Sequence, residues 1–249
     1  MALFRRVNFS RFSVRLALFA GLTALFSVVL HRFSIVDFKV ALPGLTISVL
    51  LSLLALMSGI AGLVIAMRQR ESTLSALIGI LLGFVVAAPT ILALLAGAGL
   101  PRIHDISTDL DNPPQFEAIR LLRNATDNDL DRLIPKNLAQ LQQAGYPDLK
   151  PLLLEHSKAE AFNQALQLVK NRGWTIESVS IEQGIIEATA VTPIMAFKDD
   201  VVIRILPNGK FTQIDMRSVS RVGISDLGTN AARIRHFLND LVNFNIMPK

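Results

Sequence analysis

The sequence predicts a membrane-anchored α+β protein: three transmembrane helices, followed by a domain of one helix, a four-stranded antiparallel sheet and a second helix. Three observations carry this prediction. Three apolar runs, charged only at Arg15 on the edge of the first, lie before residue 100, the two parts of the chain differ sharply in charge, and the last hundred residues alternate in the pattern of two hairpins between amphipathic stretches.

The apolar runs occupy residues 14–30, 45–67 and 74–96. Each falls in the range of about 17 to 25 residues that crosses a hydrocarbon layer. The predicted division is therefore an anchor over 1–100, a wrapping segment with short helices over 101–156, and a core over 157–249. Arg5, Arg6 and Arg11 precede the first run and Arg15 stands at its start, in the manner of a signal peptide. No small-residue cleavage site follows, however. His31, Arg32 and Phe33 come next, which indicates an uncleaved anchor.

Orientation follows from the flanking Lys and Arg residues. Four arginines lie before or at the start of the first run and Arg68 and Arg70 lie between the second and third, whereas the His31–Gly44 loop carries only Arg32 and Lys39. The positive-inside rule then puts the N-terminus in the cytoplasm and, after three crossings, the C-terminal domain outside it. In a Gram-negative cell that is an inner-membrane protein with a periplasmic domain. Helices two and three are rich in small residues (Ser48, Ser52, Ser58, Gly59, Gly62; Gly79, Gly83, Ala87, Ala88), which permit close helix approach, and Pro89 is expected to kink the third. A transport path would need intramembrane ionisable groups, and beyond Arg15 at the edge of the first run there are none.

Mean hydropathy is +0.44, high for a soluble protein. Up to Leu100 there are eight Lys or Arg against two acids, Asp37 and Glu71; beyond it there are seventeen against eighteen. The excess positive charge thus belongs to the anchor. The near-neutral domain lacks the basic face that phosphate neutralisation requires, so nucleic acid is not expected as a partner. The absence of cysteine excludes disulfides, thiolate metal sites and cysteine nucleophiles.

Within the domain, short helices are expected near Gln115–Arg123 and Lys136–Ala144. A longer helix opens at Ser157, where Glu160 completes a capping box; it presents Phe162, Ala165, Leu166 and Val169 on one stripe and stops at Gly173. Trp174–Glu182 and Ile185–Thr192 flank Gln183-Gly184, and Asp199–Leu206 and Phe211–Ser218 flank Asn208-Gly209, a strong hairpin signal. With those two-residue turns, Ile181 faces Ile186 and Val179 faces Ala188; Ile203 faces Ile214, Val201 faces Met216 and Asp200 faces Arg217, with Arg204 diagonal to Asp215. A last helix, capped near Thr229, presents Ile234, Phe237, Leu238, Leu241 and Val242. Both helices are expected on the apolar face of the sheet, leaving Asp200, Arg204, Asp215 and Arg217 on the other.

The richest polar stretch runs from Asp215 to Asn230. Arg217, Ser218, Ser220, Arg221, Asp226 and Asn230, with Asp200, Arg204 and Asp215, form the candidate ligand-binding set, because arginines beside free amides at a helix start suit an anionic group. The structural alternative pairs Arg217 with Asp200 and Arg221 with Asp226, and lets Ser225, Asp226 or Thr229 cap the helix. His104, Asp105, Asp109, Asp111 and Asn112 could offer oxygens to a hard cation, but their spacing matches no EF-hand loop and a solvated linker is the preferred reading. Around Ser218, Ser220 and Ser225 there is no Gly-x-Ser-x-Gly elbow, and no phosphate-binding or dinucleotide motif occurs, so neither a cofactor nor an enzyme is favoured.

Ile103-His104-Asp105-Ile106-Ser107-Thr108-Asp109, Pro113-Pro114-Gln115-Phe116, Tyr146-Pro147-Asp148, Gly173-Trp174, Phe197–Arg204, Asp215–Asn230 and Arg233-Ile234-Arg235 together resemble the family catalogued as domain of unknown function 1499, over about Arg102 to Leu241. Ser107 stands where Thr is commoner in that pattern. The resemblance implies one domain and makes its recurring Asp, Arg and Ser residues the best site candidates. It implies no activity. The expected role is a non-enzymatic envelope protein, in contact with the bilayer, that binds a partner protein or an anionic ligand. The alternatives are a membrane-surface hydrolase or transferase using Asp200, Asp215 or Asp226, and an accessory subunit of a membrane complex.

Overall fold

The computed structural model describes residues 8–132 and 135–244. Arg5 and Arg6 lie outside the described residues. The chain forms two compact units, Met1–Ala96 and Gly97–Lys249.

The first unit contains α1 (Phe9–Arg32), α2 (Phe38–Gln69) and α3 (Leu74–Ala96), each long and apolar enough to cross a membrane. Small residues line the contacts between them: Ser13, Ala17 and Ala20 of α1; Ser48, Ser52, Ala55, Gly59 and Gly62 of α2; Ala76, Gly79 and Gly83 of α3 are buried. Leu, Ile and Phe side chains point outward, where a bilayer would meet them. Approach is close at Gly79, where a Cβ would sit 2.1 Å from Ser13 Oγ and 3.0 Å from the Val14 backbone nitrogen. Ser13 Oγ and Ser48 Oγ donate to the Ala55 and Ala20 carbonyls at 2.8 Å, tying α1 to α2. The loop expected over His31–Gly44 is much shorter. Asp37 caps α2 by accepting from the Lys39 amide at 2.8 Å, and the helix includes Pro43 in its second turn.

The second unit runs β1 (Asp105–Ser107), α4 (Ala118–Leu122), α5 (Leu138–Gly145), β2 (Leu152–Leu154), α6 (Lys158–Asn171), β3 (Thr175–Ser180), β4 (Ile185–Val191), β5 (Lys198–Asn208), β6 (Phe211–Ser220), α7 (Thr229–Val242). The sheet is antiparallel and has six strands, not four, in the order β1-β6-β5-β4-β3, with β2 also on β6. β1 and β2 are three-residue pieces of the wrapping segment that pair with opposite ends of β6. Three residues are too few to show a two-residue period, which is why the sequence does not reveal them.

Both hairpin registers differ from expectation. Asn208 pairs with Phe211, so Gly209 and Lys210 form the turn; Gly209 at φ +62° supplies the positive φ that a type II′ turn needs at its first central position. Ile203 consequently faces Met216, Val201 faces Ser218, Arg204 faces Asp215 directly, and Asp200 faces Val219. The shift is two residues and leaves each side chain on its expected face. In the first hairpin Ser180 pairs with Ile185 and Val179 with Ile186, and a bulge between Ile176 and Ser178 moves the register again.

One sheet face bears Ile186, Ala188, Val201, Ile203, Ile205, Ile214 and Met216, covered by Phe162, Ala165 and Val169 of α6 and Ile234, Phe237 and Leu241 of α7. Ser157 and Glu160 form the capping box that starts α6. Val242 turns to solvent rather than joining the stripe. The other face is not open. A second, smaller core of Phe116, Ile119 and Leu130 closes over Val202 and Val219, so the sheet lies between two helices and the wrapping segment.

Candidate functional site

The charged residues predicted for an exposed sheet face lie under that wrapping segment. Asp200, Asp215 and Arg217 are fully buried and the Arg204 side chain is 13 % exposed. Buried charge is tolerated only with close partners. Arg217, Arg204 and Asp200 each find one in the wrapping segment, and Asp215 pairs with Arg204.

Arg217 grips Asp105 through two bonds, Nε to Oδ1 at 3.1 Å and Nη2 to Oδ2 at 2.7 Å. It also donates to the Pro114 and Leu130 carbonyls at 3.1 and 2.6 Å and stacks on Phe116, 5.2 Å from the ring centre. Asp105 accepts a further bond from Arg132 at 2.5 Å. Asp200 receives Arg123 Nε at 2.7 Å, Arg221 Nη2 at 2.9 Å and the Thr189 hydroxyl at 2.9 Å. Arg204 lies between Asp215 at 2.8 Å and Asp109 at 2.9 Å. Thus Asp105, Asp109 and Arg123 of the wrapper staple Arg217, Arg204 and Asp200 of the sheet. Glu187 adds a fourth anchor: its carboxylate accepts the amides of Glu117, Ala118 and Ile119 at 2.8 to 3.1 Å and holds the start of α4.

The pairing differs from the structural alternative read in the sequence. Arg217 meets Asp105 rather than Asp200, and Arg221 meets Asp200 rather than Asp226. Asp226 does serve the helix start, accepting from the Gly228 and Asn230 amides at 2.9 and 2.7 Å. Of the cation candidates, Asp105 and Asp109 are engaged by arginines, and Asp109 Oδ1 also accepts the Asp111 and Asn112 amides. Among the described residues no cluster of metal-ligating side chains forms.

Ser218, Ser220 and Asn230 lie on the opposite, α7-facing side. Ser218 Oγ donates to Asn230 Oδ1 at 2.7 Å, Asn230 Nδ2 donates to Ser220 Oγ at 2.9 Å, and Arg233 donates to Ser218 Oγ at 2.9 Å while pairing with Asp199 at 2.5 Å. The predicted site is therefore split by the sheet into two closed networks. Sequence reasoning missed Arg123, Arg132 and Glu187 as members, and Asp199 and Arg233 enter it only through the family resemblance. The only local sign was charge inside an alternating strand, as at Glu187 between Ile186 and Ala188.

At the head of α7, burial pushes the Asp226 carboxyl above the usual carboxylate range, against the pull of the Asn230 and Gly228 amides. Burial likewise pushes the His104 imidazole down, opposed by Asp105 and Asp226, and lifts the Tyr146 phenol to about 12. The folded state thus holds the Asp226 proton more tightly than the unfolded chain does. Its contribution to stability is complete below the unfolded value of 3.8 and is lost as pH rises through the folded value. Asp226→Asn cannot ionise, so the stability of the natural protein relative to this variant should fall as pH rises through the acidic range. Trp174, the sole tryptophan, stacks on Phe237 at 5.6 Å, so its fluorescence reports unfolding of this unit. A stability of the natural protein that rose relative to the variant as pH increased would refute the raised carboxyl.

A family model described as protein of unknown function (DUF1499) matches residues 105–241, and the chain belongs to that family. The matched segment runs from β1 into α7 and contains both halves of all three staples. No curated protein matches the chain.

Proposed function

We propose, for this member of the DUF1499 family, a non-enzymatic envelope role: a multi-pass inner-membrane protein, N-terminus cytoplasmic, whose extracytoplasmic domain binds a partner protein through the loop between β6 and α7. The carrying observation is that this loop is rigidly held yet exposes apolar side chains. Ile224 is 66 % exposed and Leu227 41 %. Beneath them Asn128 Nδ2 donates to the Ser220 and Gly223 carbonyls at 3.0 and 2.8 Å, and the Asp226 amide donates to the Ile103 carbonyl at 3.2 Å. A pre-ordered apolar loop loses little conformational entropy on docking.

An anionic ligand is less well served at this place. Arg221 is committed to Asp200, and the Asp226 carboxylate already occupies the amides that would greet an anion. The hydrolase or transferase reading requires two carboxylates converging in a concave pocket. Asp200 is enclosed by Arg123 and Arg221, Asp215 is held by Arg204 and Gln213, and Asp226 serves the helix start. A recess of about 380 Å³ lies beside Arg123 and Asn128, but Arg123 is turned to Asp200. The same loop would serve an accessory subunit of a membrane complex.

Ile224→Asp is expected to abolish complementation of a deletion strain while membrane abundance and Trp174 fluorescence stay at natural levels. Full complementation by a folded Ile224→Asp protein would reject this surface.

A further inference from the structure

The first unit contains a polar cavity of about 610 Å³ where α1 begins, α2 ends and α3 begins. We propose that it binds the headgroup of an aminophospholipid, a phosphate ester that also carries a primary ammonium. Three observations lead there.

The first is depth. The cavity is lined by Ser10 and Arg11 at the start of α1, Gln69 at the end of α2, Glu71 and Ser72 in the turn before α3 and Ser75 in its first turn, against an apolar wall that includes Ile65. The apolar runs of α1 and α3 begin, and that of α2 ends, next to these residues, so the cavity falls where polar headgroups give way to hydrocarbon. A ligand seated here would lay its acyl chains along the outward Leu, Ile and Phe side chains of the bundle.

The second is unmatched charge. Arg11 and Glu71 line one cavity but form no ion pair with each other, and among the described residues neither side chain has an ion-pair partner. In the second unit, by contrast, Arg123, Arg132, Arg204 and Arg217 are all paired with carboxylates. Glu71 is one of two acids before residue 100, in a neighbourhood that also holds Arg15, Arg68 and Arg70. Such a setting attracts phosphate. The lone carboxylate adds a site for a cation on the same molecule.

The third is the hydroxyl and amide lining. Ser10, Ser72, Ser75 and Gln69 carry donors suited to phosphate and ester oxygens. Asn8 caps α1 by accepting the Arg11 amide at 3.1 Å, which fixes the turn that carries the Arg11 side chain. Tight packing of α1 on α2 fixes the inner wall: a Cβ on Gly62 would lie 2.7 Å from the Ser10 nitrogen. Arg11 and its hydroxyl neighbours take the phosphate in this arrangement, and Glu71 takes the ammonium.

The test is native mass spectrometry of the full-length protein in mild detergent, titrated separately with phosphatidylethanolamine, phosphatidylglycerol, phosphatidylcholine and soluble phosphoethanolamine. One phosphatidylethanolamine should be retained per chain. Arg11→Ala should weaken retention about tenfold, as expected for loss of a charge-assisted bond, and Arg11→Lys should keep most of it. Glu71→Gln should leave phospholipid bound but erase the preference for phosphatidylethanolamine over the other two. Helix content and gel-filtration profile verify that each variant is folded. Equal retention of all three lipids by the natural protein and folded Arg11→Ala overturns the proposal. So does binding of phosphoethanolamine without the lipid, which would make the ligand a soluble phosphate ester. Neither outcome bears on the β6–α7 loop.

Discussion

Arg217→Ala is expected to destabilise the soluble domain by about 3 to 5 kcal/mol, the loss typical of removing one partner from a buried ion pair. The substitution strands Asp105, which is 2 % exposed and would keep only Arg132. It also removes the donors to the Pro114 and Leu130 carbonyls and leaves a void beside Phe116. These three points lie on the wrapping segment, so that segment should loosen first. Denaturant titration followed by Trp174 fluorescence reads the loss, and amide exchange over residues 105–130 locates it. A change below about 1 kcal/mol, the scale of an exposed pair, would mean that the cluster is open to water.

Asp200→Ala should cost a similar 3 to 5 kcal/mol for the converse reason. Two arginines converge on this single carboxylate, Arg123 at 2.7 Å and Arg221 at 2.9 Å, and without it they face each other across a buried gap. Asp200→Asn is the informative companion. It preserves shape and one acceptor oxygen but not the charge, so the part of the loss that persists in Asn is electrostatic. Arg217 lies on β6 beside Val219, the cross-strand partner of Asp200, so the two sites are close enough for the double variant to depart from additivity.

The parts of the fold that were legible in the sequence have short-range causes. Apolar runs announce helices that can span a bilayer, Ser157 with Glu160 announces α6, and alternation announces β3 to β6. The turn at Gly209 was located but misregistered, because Asn-Gly favours a type I′ placement whereas the chain uses Gly209-Lys210. What remained hidden depends on distant pairs. Asp105 and Arg217 are 112 residues apart, Asp109 and Arg204 are 95 apart, and Arg123 and Asp200 are 77 apart. No periodicity encodes such partners. A sheet face bearing Asp200, Arg204, Asp215 and Arg217 reads as a solvent-exposed binding surface until the wrapper is seen to bring opposite charges onto it. The Ser218–Asn230 contact was nearer to hand, yet its membership in a network with Arg233 and Asp199 depends on how α7 packs on the sheet.

The central claim is that the arginine–carboxylate clusters hold the wrapping segment to the sheet and that specificity resides on the surface. Replacing a buried ion pair by apolar residues of similar volume often preserves stability, so structure and function can be separated here. The decisive measurement is complementation of a deletion strain by the triple variant Asp105→Leu, Arg132→Leu, Arg217→Met, with Trp174 fluorescence confirming that it folds. The account predicts natural activity from the folded triple variant. A folded triple variant that fails to complement would contradict it, by showing that these charges act on a ligand rather than on the fold.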